Sequence, residues 1–298
     1  MDPLVIVFGL GVGILIGMTG IGGGSLMTPL LILFAGVHPT VAIGTDLAYG
    51  AVTKSLGGWR HLRKGTVDLG VSKWLAFGSV PGSVAGVILL DTVLKHSPEV
   101  LLTGVAIALL VVSISMLFRA LFLRAAIERE QHEVELTTAT KVQAVGLGLV
   151  LGFLLGLTSV GSGALIGLAL ILVFRLTPHR VVGTDVFHAA IVLWAAGLAQ
   201  LVAGNIDFAL MGTILIGSLP GVLIGTALSS HVPPVVLRPA LGCVLLGSAL
   251  GVLTKAGVDL PSWTIVGVPV IVGVFAALVH RVQMRRHPAP TLTEAVPA

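Results

Sequence analysis

Displaced by 139 positions, residues 17–86 lie on residues 156–225 without a gap, and 22 of the 70 pairs are identical. Gly17, Thr19, Gly22 and Gly24 fall on Gly156, Thr158, Gly161 and Gly163, and Gly44, Thr45 and Asp46 fall on Gly183, Thr184 and Asp185. Asp68 falls on Asp207, and the run Gly78-Ser79-Val80-Pro81-Gly82 on Gly217-Ser218-Leu219-Pro220-Gly221. A repeat of this kind means one structural unit used twice, so the two halves must share a fold.

Composition fixes the solvent that this unit meets. Hydrophobic residues make up 55% of the chain, charged residues 10%, and mean hydropathy is +1.07. Soluble domains carry about 25% charge, so most of this surface must face lipid or packed protein. The apolar runs are long and lack strand alternation, which leaves helices as the spanning form. Net charge is +4, but the basic residues sit between apolar runs, so nucleic acid is not expected as a partner. The lone Cys243 allows no internal disulfide and reads as a small buried residue. No basic stretch precedes the first apolar run, so a cleaved signal peptide is not expected.

Apolar segments read 4–19, 25–36, 40–58, 70–90, 99–121, 142–158, 164–174, 181–203, 208–229, 235–253 and 263–281. The first two, and the sixth and seventh, are short and separated only by glycine-rich turns. Arms of this length suit re-entrant hairpins better than crossings of about 30 Å. If each glycine-broken unit enters and returns on one side, one face collects 14 lysines and arginines and the other only Lys95 and Lys255. If each unit crosses once, the same residues divide 9 against 7. The positive-inside bias favours the first arrangement, with the amino terminus outside and the carboxyl terminus cytoplasmic. Each half then crosses an odd number of times, so the second copy is inverted.

The expected fold is all-α: a polytopic transmembrane helical bundle of two inverted-topology repeats, each opening with a glycine-broken helical hairpin. Within one membrane domain, 1–123 is the first repeat, 124–141 a cytoplasmic linker and 142–260 the second repeat. Residues 261–282 form an extra transmembrane helix and 283–298 a disordered cytoplasmic tail.

The glycine turns are the first candidate site. A turn deep in the bilayer has unpaired N–H groups and must line protein or a watery cavity. The second arm begins there, so its N-terminal amides and positive dipole end favour an anion. This reading assigns Gly22, Gly23, Gly24, Gly161 and Gly163 to an anion cradle, with Thr19, Ser25, Thr158 and Ser162 as hydroxyl donors. The alternative is that the turn glycines only permit close helix packing, the role read for Gly9, Gly11, Gly13, Gly146, Gly148 and Gly152. The turns match neither a P-loop nor a dinucleotide fingerprint.

Asp46 and Asp185 lie inside spans, where carboxylates are costly and mark ion or proton paths. Tyr49 and His188 follow three residues later on the same helical faces, so Asp185 with His188 could relay a proton. Equally, both aspartates could brace the broken helices through backbone amides. Lys54 could balance a substrate's charge, pair with an aspartate, or snorkel to the cytoplasmic interface, the plainest of the three. Asp68 and Asp207 read as first-turn acids. Gly78, Gly82 and Gly86, with Gly217, Gly221 and Gly225, form small-residue ridges for close helix contact.

The chain resembles the TauE/SafE sulfite exporter family of bacterial membrane permeases. The residues that carry the resemblance are Gly17 to Ser25, Pro29, Gly44-Thr45-Asp46 and Gly78 to Gly82, with weaker repeats in the second half. The resemblance extends to about residue 282. It implies a multi-pass protein of the bacterial inner membrane that moves small sulfur-containing anions such as sulfite or organosulfonates. Ser159 and Ser162 replace Gly20 and Gly23 in the second turn, a departure between the copies.

The function read from this is secondary transport of such an anion by alternating access, driven by an ion or substrate gradient, with Asp46, Asp185 and His188 in proton coupling or gating. No cofactor and no metal are expected, and the partners are the anion and the lipid bilayer, with homo-oligomerisation left open. The rivals are an anion channel and a transporter of a non-sulfur organic anion. An intramembrane protease using Ser79 or Ser218 is disfavoured because no histidine stands near either serine in the sequence pattern. A cation-binding or scaffold protein is disfavoured because the nine histidines are scattered.

Overall fold

The computed structural model describes residues 3–19, 24–122, 136–228 and 234–286, and these form helices without a strand. In chain order the first half holds α1 (Pro3–Thr19), α2 (Gly24–Leu33), α3 (Pro39–Arg63), α4 (Leu69–Thr92) and α5 (Pro98–Phe122). The second holds α6 (Thr138–Thr158), α7 (Leu165–Leu172), α8 (Pro178–Val202), α9 (Phe208–Leu228) and α10 (Pro234–Lys255), and α11 (Ser262–Arg286) follows. The 139-residue displacement therefore carries α1–α5 onto α6–α10. Prolines at the first turns of α3 and α8 start both helices where the missing N–H costs nothing. The matched ends are also alike, because Gly65 (φ 66°) and Gly204 (φ 73°) stop them in the left-handed region.

Among the described residues six helices are long and apolar enough to cross a membrane by length and composition: those within Leu69–His96, Pro98–Arg119, Thr138–Thr158, Pro178–Val202, Phe208–Leu228 and Ser262–Val279. The second arms of the broken units are short. With 10 residues in α2 and 8 in α7, they extend about 15 and 12 Å at 1.5 Å per residue. Both fall well below the hydrocarbon thickness.

The halves exchange partners. Helix α1 packs on α9, and its counterpart α6 packs on α4, the counterpart of α9. Helices α3 and α8 pack on each other, as do α5 and α10. Glycine makes the two exchanged contacts. On α4 and α6, a Cβ added at Gly78, Gly82 or Gly86 would lie 2.0–2.3 Å from carbonyl oxygens of Val145, Leu149 and Phe153. From the other side, Cβ atoms at Gly148, Gly152 and Gly156 would meet the oxygens of Leu75, Ser79 and Ser83 at 2.0–2.2 Å. The same reciprocal pattern joins Gly217, Gly221 and Gly225 of α9 to α1, with Gly9, Gly13 and Gly17 answering. Residue numbers rise together on both members of each pair, so these helices run parallel with backbones in contact.

By contrast, α3 and α8 run antiparallel. Gly50 meets Leu193, Gly57 meets Val186, and Gly197 meets the backbone of Ala48.

Three expectations need correcting. Gly11 and Gly146 have nothing within 4 Å of an added Cβ; they lie off the contact faces that Gly9, Gly13, Gly148 and Gly152 occupy. Helix α11 continues to Arg286, past the expected start of the tail at 283, because no breaker follows its apolar run until Pro288. Helix α6 begins at Thr138, inside the expected linker, where Thr137 caps it by accepting from the Thr140 amide. The rest of the linker up to residue 135, and the tail from 287, lie outside the described residues.

Candidate functional site

The repeated Gly-Thr-Asp is where the halves lock together. An added Cβ at Gly44 would lie 2.4 Å from the Asn205 oxygen, and one at Gly183 2.5 Å from the Thr66 oxygen. Only glycine lets each helix approach the loop of the other half so closely. The next residue uses that approach. Thr45 Oγ1 accepts from the Asp207 amide at 3.0 Å, and Thr184 Oγ1 accepts from the Asp68 amide at 2.8 Å. Asp68 and Asp207 then cap α4 and α9 by accepting from Val71 and Leu210 at 2.9 Å each, the helix-start role expected of them.

The third residue of each copy lies beside the second glycine turn. Asp46 is buried, and its Oδ2 accepts from Thr28 Oγ1 of α2 at 2.6 Å and from Ser159 Oγ of the second turn at 2.9 Å. One carboxylate thus joins α2, α3 and the end of α6. Asp185, also buried, accepts from no such hydroxyls among the described residues. The Gly163 amide and the charges of Lys54 and Arg119 act on it, and its Oδ1 has no hydrogen-bond partner among the described residues.

The second turn owes its shape to three left-handed residues. Ser159 (φ 58°) terminates α6, and Gly161 (φ 111°) and Gly163 (φ 103°) take values that side chains resist. Thr158 holds this turn, donating to the Leu154 oxygen at 2.7 Å and accepting from the Val160 amide at 3.2 Å. Its donor is therefore committed within its own helix. Ser162 is buried in the turn, as Ser25 is at the start of α2. Of the first turn, Gly22 and Gly23 lie outside the described residues, while Thr19 ends α1 and Gly24 opens α2.

Lys54 does not snorkel. It is 7% exposed, its ammonium has no hydrogen-bond partner among the described residues, and the charges of both Asp185 and Asp46 act on it. A chain position only a turn or two from the basic end of α3 suggested the interface, but the side chain is buried within reach of both aspartate charges.

His188 does not pair with Asp185. Its Nε2 lies 3.2 Å from Ser79 Oγ, so a histidine does stand beside one of the two repeated serines, contrary to expectation. Hydrolysis gains nothing from this. Both residues are 1% exposed, and the backbone of Ser79 is pressed against Gly152, which leaves a substrate carbonyl no access. The His188 Nδ1 has no partner among the described residues to orient it as a base. The matched pair in the other half, Tyr49 and Ser218, approach without closing to hydrogen-bond distance. Both are polar contacts between packed helices.

Residues 5–252 match the family described as Sulfite exporter TauE/SafE. The chain belongs to the sulfite exporter TauE/SafE family. Three proteins of Bacillus subtilis (strain 168) are similar to this TauE/SafE chain. "Probable membrane transporter protein YjnA" is 36% identical over 74% of this chain and 87% of its own length. "Probable membrane transporter protein YdhB" is 28% identical over 70% and 82%, and "Probable membrane transporter protein YunE" 27% identical over 69% and 80%. No solved structure matches the chain. This TauE/SafE member is therefore a multi-pass membrane transporter.

Two site residues escaped the sequence reading. Thr28 lies in the short second arm, and its counterpart Gly167 gives no hint of a role. Arg119 was counted with the cytoplasmic basic residues, yet its Nη1 reaches the Ala164 oxygen at 3.4 Å, beside the second turn. An arginine before the end of an apolar run was the available signal. If Thr28 and Ser159 brace Asp46, Thr28→Val and Ser159→Ala should each destabilise the protein by about 1–3 kcal/mol. Thermal unfolding in detergent measures this, and unchanged midpoints would leave Asp46 unbraced.

Proposed function

We propose that this protein is a secondary transporter of a small sulfur-containing anion, such as sulfite or an organosulfonate, working by alternating access. The observation that carries the reading is Lys54, a buried ammonium without a hydrogen-bond partner among the described residues, held where α3 and α8 cross and acted on by a carboxylate from each half. A solvated anion entering there exchanges water for a charge that needs a partner. The second turn adds amides of the opposite polarity to the substrate, and Ser162 and Ser25 add hydroxyls nearby in the chain. The first turn is assigned the same role through its matched residues.

The antiparallel crossing of the homologous helices α3 and α8 supports inverted repeats, because copies in the same orientation would place these helices parallel. It is compatible with the re-entrant arrangement, whose sidedness, with the amino terminus outside and the carboxyl terminus cytoplasmic, rests on the positive-inside bias. Rocking of one half on the other about the glycine contacts would expose the centre to each side in turn. The driving force is an ion gradient or the substrate's own, with Asp46, Asp185 and His188 as candidates for coupling or gating. The sulfur chemistry rests on the family description.

Uptake into proteoliposomes tests the reading. Sulfite, methanesulfonate, acetate and succinate are offered with and without a pH gradient. Saturable uptake that prefers the sulfur anions and responds to the gradient is expected. A flux that never saturates and ignores the gradient would indicate a channel, and preference for carboxylates would move the substrate class to non-sulfur organic anions.

A further inference from the structure

The two repeated aspartates have unlike surroundings, and the difference assigns a coupling role to one of them. By the repeat, Thr28 corresponds to Gly167 and Ser159 to Gly20. The two hydroxyls that serve Asp46 thus have no equivalents at Asp185. Where a Thr28-like side chain would stand on α7, the Arg119 guanidinium fills the space, 2.9 Å from a Cβ added at Gly167. What remains around Asp185 is the Gly163 amide, the charges of Lys54 and Arg119, and an Oδ1 without a partner among the described residues. A backbone N–H at the head of a helix and two cations are the groups that hold a free oxyanion.

We propose that Asp185 is a stand-in for the substrate: its carboxylate occupies the anion position formed by the Gly163 amide, Lys54 and Arg119, and an incoming anion takes that position as Asp185 gains one proton. This rests on the anion-transport reading above. An anion and an ionised Asp185 side by side, both buried, repel strongly in a medium that screens poorly. Protonation forms one O–H bond on the Asp185 carboxylate with a proton from solvent. It removes the repulsion and releases the amide and both cations, and no other bond changes. The buried charge is then the same before and after, one anion in and one carboxylate neutralised. The coupling is one proton per monoanion, carried in the same direction.

Other titratable groups facing this position do not serve as well. Asp46, on α3, is braced by its two hydroxyls. His188, on α8 with Asp185, already uses Nε2 on Ser79. Lys54 on α3 and Arg119 on α5 are the cations themselves. Helix α7 has no titratable residue, α4 has only Lys73 and Asp91 near its ends, and α6 has only Lys141 in its first turn.

Calorimetry on the purified full-length protein in nanodiscs tests this with methanesulfonate, which stays ionised, in buffers of different ionisation enthalpy. One proton taken up per anion bound is expected, with affinity falling about tenfold per pH unit where Asp185 is ionised. Asp185→Asn should bind the anion without proton uptake and without that pH dependence. Binding with no proton uptake in the unaltered protein overturns the stand-in role and leaves anion transport standing. Uptake that persists in Asp185→Asn does the same, and failure to bind methanesulfonate, sulfite or any other anion overturns both readings. Infrared difference spectra of the unaltered protein give a check free of substitutions. A carboxylic-acid C=O band should appear when methanesulfonate is added, and its absence would count against the proposal.

Discussion

Replacing Gly152 with alanine is expected to destabilise the protein by about 3 kcal/mol or more, while the same change at Gly146 is neutral or slightly stabilising. In an isolated helix both changes would help, because alanine is favoured over glycine by about 1 kcal/mol. The contact reverses the sign at one of them. A Cβ at Gly152 would lie 2.2 Å from the Ser79 oxygen and 2.5 Å from its Cα, whereas nothing comes within 4 Å at Gly146. These neighbours are backbone, so no rotamer change can yield. Helices α4 and α6 would have to part by more than about 1 Å, losing close contacts along the whole seam. In lipid that loss is not recovered by burial elsewhere, since the tails are as apolar as the helix faces. Thermal unfolding in detergent of Gly152→Ala and Gly146→Ala and, on α1, of the contact position Gly13→Ala and the open position Gly11→Ala measures the difference. Equal midpoints at the contact and open positions would remove the glycine seams from the account of this fold.

This contrast also explains what could and could not be read in the sequence. The duplication gave the helix order, the short second arms and the glycine ridges, because each depends on residues close together in the chain. Gly11 and Gly146 were misjudged for a physical reason. In a lipid-facing helix the buried and outer faces are both apolar, so polarity cannot tell a contact face from an exposed one. Only the close approach of the partner backbone distinguishes Gly13 from Gly11, two positions away. The exchange of partners, α1 with α9 and α6 with α4, was hidden likewise, since a repeat says that two elements are alike without saying which touch. The site followed the same rule. Asp46 and Asp185 stood out because charge in an apolar run is rare, while Thr28 is an ordinary threonine until α2 folds back against α3. The pairing of His188 with Ser79 joins residues 109 positions apart, although the repeat offered a clue by matching Tyr49 to His188 and Ser218 to Ser79.

Lys54→Met is expected to reduce anion transport by about two to three orders of magnitude while leaving the protein folded. The side chain keeps nearly its length and loses only the charge. At an effective dielectric constant of about 20, one unit charge 4 Å from another is worth about 4 kcal/mol, which corresponds to roughly a thousandfold in affinity. Folding should not require the ammonium as a donor, because it makes no hydrogen bond among the described residues. The competing role is to balance Asp46 and Asp185, whose charges act on it. The two roles predict different pairs of results. If Lys54 holds substrate, Lys54→Met loses uptake, Lys54→Arg retains part of the uptake, and adding Asp185→Asn does not restore it. If Lys54 only balances the aspartates, Lys54→Met lowers the midpoint, and Asp185→Asn restores both stability and uptake in the double variant. Radiolabelled sulfite uptake and thermal unfolding on the same preparations separate these outcomes, since only a cation that meets the substrate stays indispensable to transport once the aspartate it balances is neutralised.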